Sequence, residues 1–153
     1  MKKEASLSIV EDTINHKYLM IRHQRGINKG FINFPGGKKE ENETIEQCVI
    51  RETFEETAIK IENPVKVGYV EFPGSDFYVH IFKSTKFSGS IHGHPGENDV
   101  FWQDTDKVPF DKMREADKDF IPEILSGKFV QKRYIYDENF HIKEIIDLQT
   151  KSL

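Results

Sequence analysis

The chain has 153 residues, a formal net charge of −4 and 31% charged residues. This length is enough for one domain with its own core, and the acidic balance argues against a surface that binds extended nucleic acid. No apolar run approaches the 18 or so residues that span a membrane, and the single cysteine, Cys48, excludes a disulfide framework within the chain. We therefore expect one cytoplasmic domain over residues 1–153.

The N-terminal third is predicted to begin with a β-hairpin and to continue into a loop. Short β-prone runs at 5–10 and 18–21 flank a polar segment in which Asp12 and Asn15 suit a turn. The stretch from Arg22 to Gly37 is rich in basic and small residues, a composition typical of loops that carry function. Within it, Gly36 and Gly37 would let the backbone approach a ligand closely.

A central helix is predicted from about residue 45 to 57. Thr44 and Gln47 form the pattern of a capping box, in which each side chain bonds the other residue's amide. At about 100° per residue, Glu52, Glu55 and Glu56 continue the apolar stripe that contains Cys48. Three carboxylates so placed repel one another by about 3 kcal/mol per pair at low exposure, so the cluster favours a bound cation over a solvated acidic face.

Beyond the helix, the sequence predicts two antiparallel strands at 65–72 and 77–84, an irregular loop at 88–97 and a strand at 99–104. Phe72, Phe77 and Tyr78 could stack on a base, although aromatic residues in strands are more often core. A second helix is predicted at 119–125, with Pro122 in its first turn. A hairpin of 129–136 and 140–148 follows. His92 and His94 have no third ligand nearby in the sequence, so the metal-binding signal of this pair is weak.

The acidic helix is part of a longer motif. Gly37, Glu43 and the segment RETFEETAI, which begins at Arg51, follow one another with intervals of five and seven residues. This resembles the Nudix box, G-x5-E-x7-R-E-U-x-E-E-x-G-U with U apolar, at seven of nine constrained positions. Thr53 replaces an apolar residue, and Ala58 replaces the glycine that closes the helix.

The resemblance implies an α/β/α sandwich with a mixed β-sheet and hydrolysis of a diphosphate linked to another moiety. It implies Mg²⁺ or Mn²⁺ as cofactor, with Glu52, Glu55, Glu56, the carbonyl of Gly37 and an additional glutamate, Glu97, as ligands. Arg51 is expected to orient a carboxylate through a bidentate bond, and Glu43 to secure the loop. The general base is Glu52, Glu56 or Glu97.

For the substrate, the chain resembles the MutT-related enzymes that hydrolyse oxidised purine nucleoside triphosphates, such as 8-oxo-dGTP, to monophosphate and pyrophosphate. Asn33 and Asp117 are then the candidate base-binding residues, and the candidates for phosphate binding are Lys38, Arg22 and Arg25. Residues 114–120 depart from that subgroup, which has a tryptophan and two adjacent aspartates where only Asp117 is retained. A pyrophosphatase for ADP-ribose, another dinucleotide or capped RNA is the alternative enzyme, and a nucleotide-binding regulator without activity is the alternative from another class.

Overall fold

The computed structural model describes residues 2–149 and the backbone of 151–152. Within these residues, two helices are inserted in a run of strands. The helices are α1 (Ile45–Thr57) and α2 (Glu115–Leu125). The strands are β1 (Lys3–Asp12), β2 (Lys17–His23), β3 (Ile32–Asn33), β4 (Gly36–Lys38), β5 (Lys60–Glu62), β6 (Val65–Phe72), β7 (Phe77–Ser84), β8 (Lys86–Ser88), β9 (Asn98–Asp104), β10 (Lys128–Tyr136), β11 (Ile142–Asp147) and β12 (Lys151–Ser152).

The main sheet is mixed and has β1 near its centre. Its order is β11-β10-β6-β7-β1-β2-β3, while β4 also pairs with β1, β9 with β2 and β12 with β10. The β1–β7 and β6–β10 pairs are parallel, and the other pairs of this sheet are antiparallel. Strands β5 and β8 form a separate antiparallel pair. The predicted α/β class with a mixed sheet is confirmed.

Each face of the sheet packs against one helix, because the side chains of β1 alternate. Leu7 and Ile9 belong to the larger core, which includes Phe120 and Ile121 of α2. Val10 belongs to a second core with residues of α1 and β5. Strand β1 thus connects the two apolar layers and fixes the position of both helices.

Helix α1 has the predicted bounds and the predicted cap. The Gln47 amide donates to the Thr44 hydroxyl at 3.1 Å, and the Thr44 amide donates to the Gln47 side chain at 2.8 Å. At the other end Ala58 adopts a left-handed conformation, with φ 67°, and its amide donates to the Phe54 carbonyl. In this conformation alanine is about 1 kcal/mol less stable than glycine. The helix therefore ends with the backbone geometry typical of a glycine cap, and Ala58 is strained.

The prediction for the second helix was wrong at its start. Helix α2 begins at Glu115 rather than Asp119, and Pro122 lies in its interior. The Asp117 carboxylate accepts the backbone amide of Arg114, the residue before the helix, and so satisfies a donor at the helix start. The sequence-based prediction started the helix just before Pro122, because proline suits the first turn of a helix. In the structure another turn precedes Pro122, and the Asp117 carboxylate accepts an amide at its start.

The predicted long strands and both predicted hairpins are confirmed with small shifts in their bounds, and the predicted loops contain short strands. The segment 22–37 includes the end of β2, all of β3 and most of β4, and β8 ends at Ser88, where an irregular loop was predicted to begin. These short strands carry too few residues for an alternating pattern. Their pairing partners are distant in the sequence, so tertiary contacts define them.

Candidate active site

The Gly36–Gly37 pair lies between the central strand and α1. Strand β4 pairs with β1, with Gly37 opposite Ser6 and Gly36 opposite Leu7. A Cβ at Gly36 would lie 2.1 Å from the Ser6 carbonyl oxygen, and a Cβ at Gly37 would lie 2.3 Å from the carboxyl carbon of Glu52. Real Cβ atoms do not approach other atoms so closely. Glycine is therefore required at both positions to bring β4 against the acidic face of the helix.

Two of the three predicted carboxylates lie against this glycine pair. The Gly36 amide donates to Glu56 Oε1 at 2.7 Å. Burial raises the pKa of Glu56 to about 7, against the opposing effect of this bond, and the nearby charges of Glu52 and Glu55 raise it further. Burial also raises the pKa of Glu52. Both groups are thus held in a place where the charged form is disfavoured unless a cation is near.

Arg51 connects these carboxylates to the preceding loop. Its Nε and Nη2 donate to the two oxygens of Glu43, each at 2.8 Å, and its Nη1 donates to Glu52 at 2.9 Å and to Glu55 at 3.0 Å. The bidentate bond lowers the pKa of Glu43 to about 2. Glu43 also accepts the Glu40 amide at 2.8 Å, so this pair fastens the 40–43 turn to α1.

The oxygen donors suit a hard divalent cation. Glu52, Glu55, Glu56 and the Gly37 carbonyl are the kinds of ligand that Mg²⁺ and Mn²⁺ prefer. The Gly37 carbonyl accepts a weak bond from the Cys48 thiol at 3.5 Å. In the described part of the chain, no group of three or more His, Cys, Asp or Glu side chains already has the spacing of a metal site. Glu52 and Glu55 are instead both bonded to Arg51.

The structure pairs two predicted site residues with each other. Arg25 Nη2 is bonded to Glu97 Oε1, so a candidate phosphate ligand neutralises the candidate additional metal ligand. His94, three residues earlier, places its Nε2 2.7 Å from the Glu55 carbonyl, which docks this loop on the end of α1. The partner of the His94 ring is therefore a backbone oxygen.

The other two phosphate candidates lie on strands. Arg22 is in β2 and Lys38 in β4, and both side chains are exposed. The Arg22 guanidinium lies 5.6 Å from the centre of the Phe101 ring, and the Lys38 ammonium lies 5.8 Å from that of Phe77. Lys38 follows Gly37 directly, whereas the structure shows no contact between Arg22 and the carboxylates.

A large cavity lies on the α2 side of the molecule. Its volume is about 730 Å³, and its lining includes Phe31, Phe72, Met113, Arg114 and Tyr136. Phe31 precedes Gly36 by five residues, so the two Cα atoms are at most about 18 Å apart. A nucleoside triphosphate can span this distance.

The two base-binding candidates do not line this cavity. The Asn33 side-chain oxygen accepts the Phe34 amide at 2.8 Å. Asp117 is 8% exposed, and its Oδ2 has no hydrogen-bond partner among the described residues. Burial raises the pKa of Asp117 to about 6. Asn33 and Asp117 are each close in sequence to a lining residue, Phe31 and Arg114 respectively.

Sequence reasoning missed Phe31, Arg114 and Tyr136 as parts of a binding surface. Arg114 gave a signal, because it stands in the segment that departs from the MutT-related pattern. Phe31 and Tyr136 gave no signal, since isolated aromatic residues in β-rich segments are usually core.

No helix in the described part of the chain is long and apolar enough to cross a membrane.

Comparisons with known proteins identify the family. The chain matches the NUDIX domain over residues 2–124. It is 34% identical over 119 residues to the oxidized purine nucleoside triphosphate hydrolase of Danio rerio, covering 73% of this chain and 74% of that one, and the Mus musculus protein of the same name gives the same values. A solved structure of the mutator MutT protein from Bacillus halodurans superposes with a TM-score of 0.80 at 25% identity, covering 97% of each chain.

The segment that matches the NUDIX domain is most of the chain, and it contains the glycine pair, the acidic helix and Arg51. The chain belongs to the Nudix family and is a Nudix hydrolase.

Proposed function

We propose that the chain hydrolyses a purine or oxidised purine nucleoside triphosphate, of the 8-oxo-dGTP kind, to the monophosphate and pyrophosphate with Mg²⁺ or Mn²⁺. The observation that carries this proposal is the placement of Glu52 and Glu56 against the glycine pair, where burial disfavours their charge. A divalent cation would relieve this cost and attract the phosphates of the substrate.

Different residues of the site would have different roles in the reaction. Glu52, Glu55 and Glu56, with the Gly37 carbonyl and Glu97, would hold the metal, which would supply charge stabilisation at the phosphates and a more acidic bound water. Arg51 keeps Glu52 and Glu55 oriented. Water adds to phosphorus, the phosphoanhydride bond breaks, and the water proton passes to a glutamate.

Three glutamates remain candidates for accepting this proton: Glu52, Glu56 and Glu97. The pKa of Glu56 is about 7 in the metal-free protein, and a bound cation would lower it, so Glu56 would accept the proton only if it does not itself coordinate the metal. Glu97 would first have to leave Arg25.

We propose that the substrate lies with its base towards the α2 side of the molecule and its phosphates at α1. The aromatic rings of Phe31 and Phe72 in the cavity offer stacking surfaces for a base. Asn33 and Asp117 would read the purine edge, with the Asn33 amide nitrogen as donor because the amide oxygen is bonded within the chain. Lys38, Arg22 and Arg25 would contact phosphates, and Arg25 would become available when it separates from Glu97.

The substrate class is tested with a panel of nucleotides in Mg²⁺. The panel contains 8-oxo-dGTP, the four ordinary deoxynucleoside triphosphates, ADP-ribose, a dinucleoside polyphosphate and capped RNA. We expect pyrophosphate, and no inorganic phosphate, from purine triphosphates. Cleavage of ADP-ribose, the dinucleotide or capped RNA alone, detected by chromatography of the nucleotide products, would move the assignment to the alternative enzyme. Binding without any cleavage would indicate a regulator.

The metal is tested separately by thermal unfolding. Millimolar Mg²⁺ or Mn²⁺ should raise the melting temperature of the parent protein, because the ion binds the folded state. The rise should be smaller in Glu52→Gln and Glu56→Gln. An unchanged melting curve in the parent would contradict the proposed metal site.

A further inference from the structure

A row of side chains leads from the cavity towards the glycine pair. Phe72, Phe77 and Lys3 are register partners on the adjacent strands β6, β7 and β1. They share the face of the sheet that packs against α2, because Leu7, four residues after Lys3 on the same strand, belongs to the core on that side. Phe72 lines the cavity, and its Cα lies about 10 Å from that of Lys3, two strand spacings away. Lys3 is therefore within reach of a ligand that extends out of the cavity.

Lys38 approaches the same aromatic ring from β4. Its ammonium lies 5.8 Å from the centre of the Phe77 ring, and the Lys3 ammonium lies 5.0 Å from that centre. At these distances a cation is attracted to an aromatic ring. Lys38 pairs with Ala5 of β1, so its side chain projects from the same face as that of Lys3. Phe77 thus holds two ammonium groups beside Gly37, whose carbonyl is a candidate metal ligand.

No ion pair within the described residues neutralises either ammonium. Lys3 and Lys38 are both exposed. The acid next to Lys3 in the sequence, Glu4, projects from the opposite face, where it is bonded to His80 and lies 3.5 Å from the Lys2 ammonium. Two like charges on one ring repel each other, and an anion that binds between them relieves the repulsion.

We propose that Lys3, together with Lys38, binds the phosphate chain of the substrate where it passes from the cavity to the acidic face of α1; this inference rests on the proposed function. An ammonium binds phosphate oxygens as a compact point charge and requires no fixed planar geometry. A chain of phosphates carries several negative charges in a row, so one ligand can contact both lysines. The Phe77 ring restricts both side chains before a ligand arrives, which lowers the conformational entropy lost on binding.

The test measures the binding of inorganic pyrophosphate by calorimetry in millimolar Mg²⁺. This probe has phosphates and no base, so its binding requires neither turnover nor the cavity. We expect Lys3→Gln to weaken pyrophosphate binding by about five- to tenfold, because it removes a charged donor from an exposed site. Lys3→Arg keeps the positive charge and should bind pyrophosphate within about twofold of the parent.

Lys2→Gln is the matched control. The Lys2 ammonium lies 4.6 Å from the centre of the Tyr78 ring, and Tyr78 is on the opposite face of the sheet from Phe77. The substitution removes the same charge one residue away, so it changes the long-range field of the protein in a similar way but leaves the proposed contact intact. Pyrophosphate binding by Lys2→Gln should stay within about twofold of the parent.

Three results would overturn the proposal: no binding of millimolar pyrophosphate by the parent, unchanged binding by Lys3→Gln, or equal weakening in Lys2→Gln and Lys3→Gln. Failure of the proposed function is distinguishable from these. If the parent hydrolyses no nucleoside triphosphate but its pyrophosphate binding depends on Lys3, the proposed function is refuted and the role of Lys3 stands. If purine triphosphates are hydrolysed and Lys3→Gln binds pyrophosphate as the parent does, the proposed function stands and the role of Lys3 is refuted.

Discussion

The carboxylate of Glu52 occupies the space that a side chain on Gly37 would need. A Cβ at Gly37 would lie 2.3 Å from the Glu52 carboxyl carbon and 2.4 Å from one of its oxygens. Retreat of β4 is opposed by its pairing with β1, and retreat of Glu52 by its bond to Arg51. Contact with the glycine therefore fixes the position of a predicted metal ligand.

Gly37→Ala should displace Glu52 and lower kcat/KM by about a hundredfold, with a loss of about 1–3 kcal/mol in the free energy of unfolding from overpacking. Steady-state kinetics and urea unfolding measure the two effects. Gly74→Ala is the control for stability, because a Cβ there meets no atom within 4 Å. Normal turnover in Gly37→Ala would show that the exact position of Glu52 is unimportant.

Glu55→Gln and Glu56→Gln should each lower turnover by at least about a hundredfold while the fold survives, because each removes a charged oxygen donor and keeps side-chain volume. Circular dichroism checks the fold, and pyrophosphate release measures turnover. Near-normal rates in both variants would contradict the proposed site.

Asp117 should make the protein less stable as the pH rises. Its pKa is 3.8 as an ordinary aspartate and about 6 in the folded protein, so the folded state binds the proton more tightly. Stability should fall between about pH 4 and pH 6 and remain lower above. Asp117→Asn should therefore raise the free energy of unfolding by something of the order of 1–3 kcal/mol at about pH 8, and by little near pH 4.

Urea unfolding of the two proteins without nucleotide measures this difference. Glu115→Gln is the control, since it neutralises a more exposed acid in the same turn and should change stability by less than about 0.5 kcal/mol at either pH. If the difference in free energy of unfolding between Asp117→Asn and the parent does not depend on pH, the pKa of Asp117 is not shifted in the folded protein.

Arg51→Lys should destabilise the protein by about 1–3 kcal/mol, because lysine cannot replace the bidentate bond to Glu43 and the bonds to Glu52 and Glu55 together. Arg25→Lys makes the same change at the exposed pair with Glu97 and should cost less than about 1 kcal/mol. Chemical denaturation compares the two. Equal costs would mean that the Arg51 bonds are no more than surface ion pairs.

Asn33→Ala and Asp117→Ala should each reduce kcat/KM for the preferred purine triphosphate by about five- to a hundredfold, since each would leave a buried polar partner unpaired. Pyrimidine triphosphates should change much less. Equal losses on purine and pyrimidine substrates would indicate that both side chains serve only the fold, Asn33 through its bond to the Phe34 amide and Asp117 through its bond to the Arg114 amide.

The central helix and the long strands were predictable because their signals are local. Thr44 and Gln47 mark the helix start, and the carboxylates of its acidic face follow from helical periodicity alone. The start of α2 was not predictable from Pro122, since proline is tolerated in a first turn but also occurs where an upstream turn is already capped. Strand β4 has three residues and exists because β1 offers it hydrogen bonds.

The candidate site was likewise predictable from the sequence only in part. Spacing predicted that Arg51 and the glutamates lie together, but it could not show that Glu43 rather than Glu52 takes the bidentate bond of the arginine, since this depends on the path of the 38–43 turn. The cavity lies between segments far apart in the sequence, such as those of Phe31, Phe72 and Arg114. Such a surface has no periodicity that a single sequence reveals.

The pairing of β4 with the central strand also determines which parts of the molecule can vary. Exposing the Gly37 backbone requires β1 to open, and amide hydrogen exchange there should approach the rate set by global unfolding. The rim of the cavity is different, because Ile27 and Phe140 are 89% and 84% exposed and lie on turns. Substitutions at this rim can change which nucleotide is accepted without disturbing the strand and helix that hold the carboxylates, so specificity can diverge faster in evolution than chemistry.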